Sequence, residues 1–305
     1  MRLTMGRRAV TAGLLAGAAA AVLPGAARAQ APAPLRKTIP SSEERIPAVG
    51  LGTWITFNVG ADEDLRTDCV AVMRAFFEAG GRMIDSSPMY GSAQAVVGHG
   101  LKALGSPAQL FSAEKVWTSS GGPAQIEATR KLWGVPRFDL LQVHNLLSWE
   151  AHLETLFAMK EAGELRYVGI TTSEGRRHRE LQTIMAAKPL DFVQLTYNPV
   201  DREAEQRLLP LARERGIAVI VNRPFQQGDL TARLEDEPLP GVAEALGATS
   251  WAQLILKFIV SHPAVTCAIP ATSRVDHVRE NLAAAAGPLP DEPTRARIAA
   301  EIGKL

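Results

Sequence analysis

The sequence predicts an α/β protein, a closed (β/α)8 TIM barrel. Two observations carry that prediction. Between Ile46 and Ala286 a short apolar run followed by an amphipathic stretch occurs eight times. Strands alternating with helices imply a parallel sheet covered by helices, and continuously apolar strands imply burial on both faces. Neither G-x-G-x-x-G after a strand nor G-x-x-x-x-G-K-[ST] occurs, which disfavours a doubly wound open sheet with a phosphate-binding turn. Eight units in one chain of 305 residues then fit a single barrel.

The units follow in order. The first strand is read at residues 47–54, "PAVGLGTW". The helix after it carries Cys69, Val72, Met73 and Phe76 at i, i+3, i+4, i+7, which makes one apolar face. "RMID" (82–85) precedes a helix with Val97, Leu101 and Leu104. "LFSAEKV" (110–116) precedes a helix at 123–133. "FDLLQVH" (138–144) precedes a helix with Leu153, Leu156 and Phe157 on one side. "LRYVGIT" (165–171) leads to a helix at 175–187, and "DFVQLTY" (191–197) to one with Leu208, Leu211 and Ala212. "IAVIVN" (217–222) leads to a helical region reaching residue 261. "VTCAIP" (265–270) leads to a helix at 275–286 and a tail helix.

The N-terminal residues have a different character. Arg2, Arg7 and Arg8 precede a weakly apolar, Ala- and Gly-rich run from Ala12 to Val22, and Ala27-Arg28-Ala29 offers an A-x-A cleavage site. This is the layout of a secretory signal peptide, too short in its apolar part to span a bilayer. The Arg7-Arg8 pair and the mild hydrophobicity point to the twin-arginine route. The expectation is a signal peptide at 1–29, a disordered spacer at 30–36, a barrel at 37–305, and a periplasmic location reached through the export machinery. Net charge is +1, so no basic excess marks a nucleic-acid partner. Cys69 and Cys267 are the only cysteines and form no C-x-x-C, so neither a cysteine metal site nor a disulfide is indicated.

In such a barrel the chemistry sits at the C-terminal ends of the strands. The second strand ends at Asp85, the third near Lys115 and the fourth at His144, while Tyr90 lies in the loop after the second. Neighbouring strands stand about 4.8 Å apart, so these ends can meet in one pocket. A tyrosine, with an ordinary pKa of about 10, is a proton donor at neutral pH. At roughly 4 Å and an effective dielectric of about 20, an ammonium attracts a phenolate by on the order of 4 kcal/mol, equivalent to roughly three pKa units. The expectation is therefore that Lys115 draws the Tyr90 phenol down into the range of a general acid. Asp85 would hold Lys115 charged, and His144 would orient a carbonyl oxygen. No G-x-S-x-G and no H-x-H pair supports hydrolysis, and no metal is expected.

The set Asp85, Tyr90, Lys115 and His144, in "MIDSSPMYG", "AEKV" and "LLQVHN", resembles the catalytic tetrad of the aldo-keto reductases. The similarity runs from Ile46 to Ala286 and includes "VGLGTW", "RYVGIT", "VQLTYN" and "IPATSRVDHVRENL". It implies reduction of an aldehyde or ketone to an alcohol by hydride transfer from NADPH, or NADH, with Tyr90 as general acid and a small carbonyl compound as substrate. It also implies cofactor contacts. Gln194 matches the residue that holds the carboxamide. Thr171 and Thr172 stand where the family usually has Ser-Asn. Asn222 or Arg223 falls where many members place a stacking ring. Thr272 matches a phosphate-binding hydroxyl, Arg274 supplies charge near it, His277 replaces the usual arginine, and Glu280 and Asn281 match adenine contacts. Trp54, Trp117 and Asn145 are the expected walls of the substrate pocket. The departures on the cofactor side leave an alternative, a catalytically reduced or non-catalytic nucleotide-binding protein on the same barrel. A monomer is expected.

Overall fold

The computed structural model describes residues 34–305. The signal peptide and most of the spacer lie outside those residues. The ordered chain reaches into the expected spacer: the Leu35 amide donates to Ala285 O (2.8 Å), and Arg36 opens the first strand.

A hairpin comes first, β1 (Arg36–Thr38) and β2 (Arg45–Pro47), antiparallel. The barrel follows: β3 (Leu51–Gly52), α1 (Glu63–Glu78), β4 (Met83–Asp85), α2 (Ala93–Ala103), β5 (Phe111–Val116), α3 (Gly122–Trp133), β6 (Phe138–Val143), α4 (Trp149–Glu161), β7 (Leu165–Thr171), α5 (His178–Ala187), β8 (Phe192–Thr196), α6 (Leu208–Arg215) and β9 (Ala218–Asn222). Three helices then occur in succession, α7 (Asp229–Arg233), α8 (Val242–Ala245) and α9 (Trp251–Ser261). The chain ends with β10 (Val265–Ala268), α10 (Val275–Ala283) and α11 (Glu292–Ile302). Strands β3 to β10 pair in parallel and in chain order. Bridges Val49↔Ala268 and Gly52↔Ala271 join the first strand to the last and close the ring. The (β/α)8 TIM barrel is the fold.

Two expectations needed revision. The first strand is far shorter than 47–54. It meets the last strand only through isolated bridges, and Gly52 passes so close to the residue after β10 that a Cβ would stand 2.7 Å from Ile269 O. The helix expected at 175–187 starts at His178, because Glu174, Gly175 and Arg177 all have positive φ. The helical region up to 261 resolves into α7, α8 and α9, with Pro238, Pro240 and Gly241 separating the first two. The N-terminal hairpin was not anticipated.

The hairpin plugs the barrel. Ile39 and Ile46 are fully buried and share a cluster with Met83, Phe111, Leu140, Tyr167 and Phe192. Those five barrel residues point inward at the lower level. Further along these strands, the inward positions change character. Strand alternation takes Met83 to Asp85, Ala113 to Lys115, Leu140 to Gln142, and Phe192 to Gln194. The interior is thus apolar below and polar above, and the polar layer is the floor of the site. Both cysteines are free and buried.

Candidate active site

Asp85 is the centre of the polar layer. It ends β4, and its carboxylate accepts from Lys115 Nζ on one oxygen (2.5 Å) and from Gln194 Nε2 (2.9 Å) and Gln142 Nε2 (3.2 Å) on the other. Thr53 Oγ1 donates to Asp85 O (2.9 Å) and ties the strand end to the loop after β3. Gly169 gives Gln142 its space, since a Cβ there would touch Gln142 Cγ at 3.0 Å. Lys115 Nζ also donates to Ser86 O (2.7 Å). The ammonium is therefore held from two sides, and its side chain has no solvent exposure.

The stretch after Asp85 is a β-turn: Tyr90 N–H donates to Ser87 O (3.0 Å) across Pro88. This turn folds the phenol back over Lys115, whose Nζ stands 5.1 Å from the centre of the Tyr90 ring. His144, the residue after β6, meets Tyr90 edge to face with centroids 5.6 Å apart. Its Nδ1 lies 2.7 Å from Ser87 Oγ. The four residues expected to meet at the rim do meet there.

Their electrostatics differ from expectation in one respect. Burial pushes the Lys115 pKa down, but Asp85, Tyr90 and Glu114 outweigh it, so the group stays charged with a raised pKa. The Tyr90 phenol is not drawn down. Burial pushes it above its ordinary value, Lys115 opposes without cancelling, and Asp85 and Glu114 add to the rise. The physical reason is burial: removing the phenolate from water costs more than the attraction of Lys115 returns, and the negative charges of Asp85 and Glu114 add to that cost. His144 is lowered to about 2 by burial and by the Lys115 charge, so its ring is neutral. Behind Lys115, on the helix-facing side of β5, Glu114 is enclosed. It accepts from Lys115 N (2.8 Å), Gln94 Nε2 (3.1 Å) and Trp133 Nε1 (2.8 Å), and burial pushes its carboxyl up to about 7.

A cavity of about 920 Å³ opens above this floor, near the upper end of the roughly 300–1,000 Å³ usual for ligand pockets. Asp85, Tyr90 and His144 line it, whereas Lys115 lies beneath. Trp54 and Asn145 line it as expected, with Ile55 and Met89 beside them. Trp117 does not. It is 39% exposed, and Gln125 brackets its backbone, accepting from Trp117 N (2.7 Å) and donating to Trp117 O (2.8 Å).

All ten positions expected to contact cofactor line the same cavity: Thr171, Thr172, Gln194, Asn222, Arg223, Thr272, Arg274, His277, Glu280 and Asn281. Several already have protein partners. Thr171 Oγ1 accepts from Asn145 N (3.1 Å), and Asn222 Nδ2 donates to Thr172 O (2.9 Å). Arg223 Nη1 is 2.6 Å from Glu174 Oε1, and Arg274 pairs with Asp276 through two nitrogens. Thr172 Oγ1 is buried without a partner among the described residues. That orphan hydroxyl on the wall, the cations and the volume fit a dinucleotide.

Sequence reading missed Gln142 and Ser87. Gln142 lies on β6 two residues before His144, and that period-two spacing was the available signal. Ser87 was read only as part of a turn.

A model of the aldo/keto reductase family matches residues 48–296. The chain is 30% identical over 252 residues to the methylglyoxal reductase YeaE of Escherichia coli strain K12, covering 80% of this chain and 87% of that protein. It is 27% identical over 248 residues to the NADH-specific methylglyoxal reductase of the same organism, covering 68% and 73%. Among solved structures, an aldo/keto reductase from Klebsiella pneumoniae in complex with NADP and acetate superposes with a TM-score of 0.70. It is 24% identical, and the match covers 85% of this chain and 93% of that one.

Proposed function

The chain belongs to the aldo/keto reductase family, NAD(P)H-dependent oxidoreductases that reduce carbonyl compounds, and from that premise we propose that it converts an aldehyde or ketone to an alcohol with NADPH, Tyr90 giving the proton. When bound, the nicotinamide supplies the hydride to the carbonyl carbon. The observation that carries this reading is the placement of a protonated phenol between a buried ammonium and a neutral imidazole at the cavity floor. Tyr90 protonates the oxygen as negative charge develops on it. Lys115, kept charged by Asp85, stabilises the phenolate that remains. His144, neutral throughout, holds the carbonyl oxygen by a hydrogen bond. Thr172, Thr272, Arg274, Glu280 and Asn281 are the residues that would hold the nucleotide.

The test is loss of nicotinamide absorbance on adding aldehyde, for the purified protein and for Tyr90→Phe. Two relatives are named methylglyoxal reductases, so methylglyoxal is the first aldehyde to assay. Turnover that survives unchanged in Tyr90→Phe would remove the phenol from the mechanism. Nucleotide binding with no turnover of any carbonyl would favour the binding-protein alternative.

The proposal extends to place. The Arg7-Arg8 pair and the Ala27-Arg28-Ala29 site support export by the twin-arginine route. That route carries folded proteins, so nucleotide can be loaded before translocation. Mass measurement of protein from a periplasmic fraction tests both points: a chain starting at Met1, or one starting at Gln30 without copurifying nucleotide, would count against the respective claim.

A further inference from the structure

His144 has two ring nitrogens, and only one of them can serve a substrate. Its Nδ1 faces Ser87 Oγ at 2.7 Å. Its Nε2 has no partner among the described residues, yet it is not among the enclosed polar atoms, and His144 lines the cavity. A neutral imidazole carries one proton, and the nitrogen that holds it follows from what the other is bonded to.

The Ser87 hydroxyl settles which. Its oxygen accepts the Met89 amide at 3.1 Å, so one lone pair is used. Its single proton needs an acceptor, because Ser87 has no solvent exposure. His144 Nδ1 is the one acceptor that the Ser87 hydroxyl meets among the described residues. If Nδ1 carried the proton and donated to Ser87 Oγ, the serine hydroxyl would be buried with its own proton unbonded, which is costly. If Ser87 donates to Nδ1, every group is satisfied and the imidazole proton sits on Nε2.

We propose that Ser87 is a positioning residue that fixes the tautomer of His144, its hydroxyl donating to Nδ1 so that Nε2–H is presented to the cavity as a hydrogen-bond donor. The same turn that brings Tyr90 to the site thus also arms its neighbour. Ser87 O accepts the Tyr90 amide while Ser87 Oγ orients His144. One residue couples the two groups that would meet one carbonyl oxygen. The lowering of the His144 pKa to about 2 agrees with a ring that stays neutral, so the choice of tautomer is the only variable left. The role rests on the carbonyl-reduction reading, but the tautomer itself does not.

The experiment is nitrogen NMR of protein labelled with ¹⁵N-histidine, the His144 signals being assigned by their absence in His144→Gln. Expected for the unmodified protein is an unprotonated Nδ1 and a protonated Nε2, unchanged from about pH 5 to 8. In Ser87→Ala the two nitrogens should move toward averaged values. At the same time kcat for the aldehyde should fall about tenfold, the loss of one hydrogen bond's worth of orientation, with nucleotide affinity unchanged. Ser87→Thr should restore both readouts. A proton on Nδ1 in the unmodified protein overturns the proposal, and this outcome decides it even if Ser87→Ala does not fold. Full kcat together with an unaltered tautomer in Ser87→Ala overturns it as well. Absence of carbonyl reduction in the unmodified protein would refute the functional reading alone, leaving the tautomer result to be judged separately.

Discussion

Lys115 and Asp85 form an ion pair sealed inside the barrel, Nζ 2.5 Å from Oδ1, with neither side chain more than 2% exposed. Removing one partner of such a pair leaves an uncompensated buried charge, at a cost of about 3–5 kcal/mol. Asp85→Asn should therefore lower stability by that order, and it should abolish turnover because Lys115 loses its anchor. Urea denaturation reads the first effect as a lower midpoint at unchanged slope. An unaltered midpoint would mean that Gln142 and Gln194, which share the carboxylate, can rearrange to absorb the change.

The direction of the Tyr90 shift makes a prediction about pH. In its proposed role as general acid the phenol must be protonated, and burial raises it above its ordinary value of about 10. His144, lowered to about 2, does not titrate in the working range. The kcat/KM for carbonyl reduction should accordingly be flat from about pH 5 to 9 and fall only above about pH 10. Tyr90→Phe should cost roughly 10²- to 10⁴-fold in kcat. An inflection between pH 6 and 7 in the unmodified protein, absent in His144→Gln, would show that the imidazole changes charge during the cycle.

How much of this was legible in the sequence follows from how local each feature is. Asp85, Lys115 and His144 could be read because each closes an apolar strand, and a parallel barrel brings strand ends together. Gln142 obeys the same period and was legible in principle. Ser87 was not, because its function depends on a ring 57 residues away in sequence. The hairpin was hidden for a related reason: Ile39 and Ile46 look like isolated apolar residues until the barrel offers them its lower mouth. The direction of the Tyr90 shift also depended on tertiary structure. Sequence placed an ammonium near the phenol, but burial, with the negative charges of Asp85 and Glu114 beside it, decided the sign.

Two histidines with lowered pKa values give stability a definite pH dependence. His144 Nδ1 accepts from Ser87, and His262 Nδ1 accepts from Ala264 N (3.2 Å). Burial, the largest cause for both, lowers His144 to about 2 and His262 to about 4. Below about pH 6.5 the unfolded chain binds protons that the folded one refuses, so stability must fall as pH falls through that window. For His144 alone the slope approaches about 1.4 kcal/mol per pH unit. Glu114 acts in the opposite sense. Its folded value of about 7 lies above the unfolded one, so its contribution is lost as pH rises from about 4.5 to 7. Two protons against one leave a net rise in stability between about pH 4.5 and 6.5. Denaturation midpoints across that range check it: the slope should shrink in His144→Gln and in His262→Gln, and steepen in Glu114→Gln.

The proposal that Arg274 helps hold the nucleotide makes a prediction about cofactor choice. Its Nε lies 3.1 Å from Asp276 Oδ1, and Nη2 meets the other carboxylate oxygen. Asp276, in the first turn of α10, is lowered to about 2, chiefly by the hydrogen bond from Arg274, and so is charged at any working pH. If Arg274 meets the 2′ position, a 2′-phosphate must take the guanidinium from that carboxylate, whereas a 2′-hydroxyl need not. Asp276→Asn should therefore tighten NADPH several-fold and leave NADH unchanged, and Arg274→Ala should weaken NADPH alone. Both side chains are 62% exposed, so added salt should weaken NADPH more than NADH. Fluorescence titration with the two nucleotides measures all three effects. Equal shifts for NADPH and NADH would place the 2′ position away from Arg274 and move the discrimination to another part of the cavity wall.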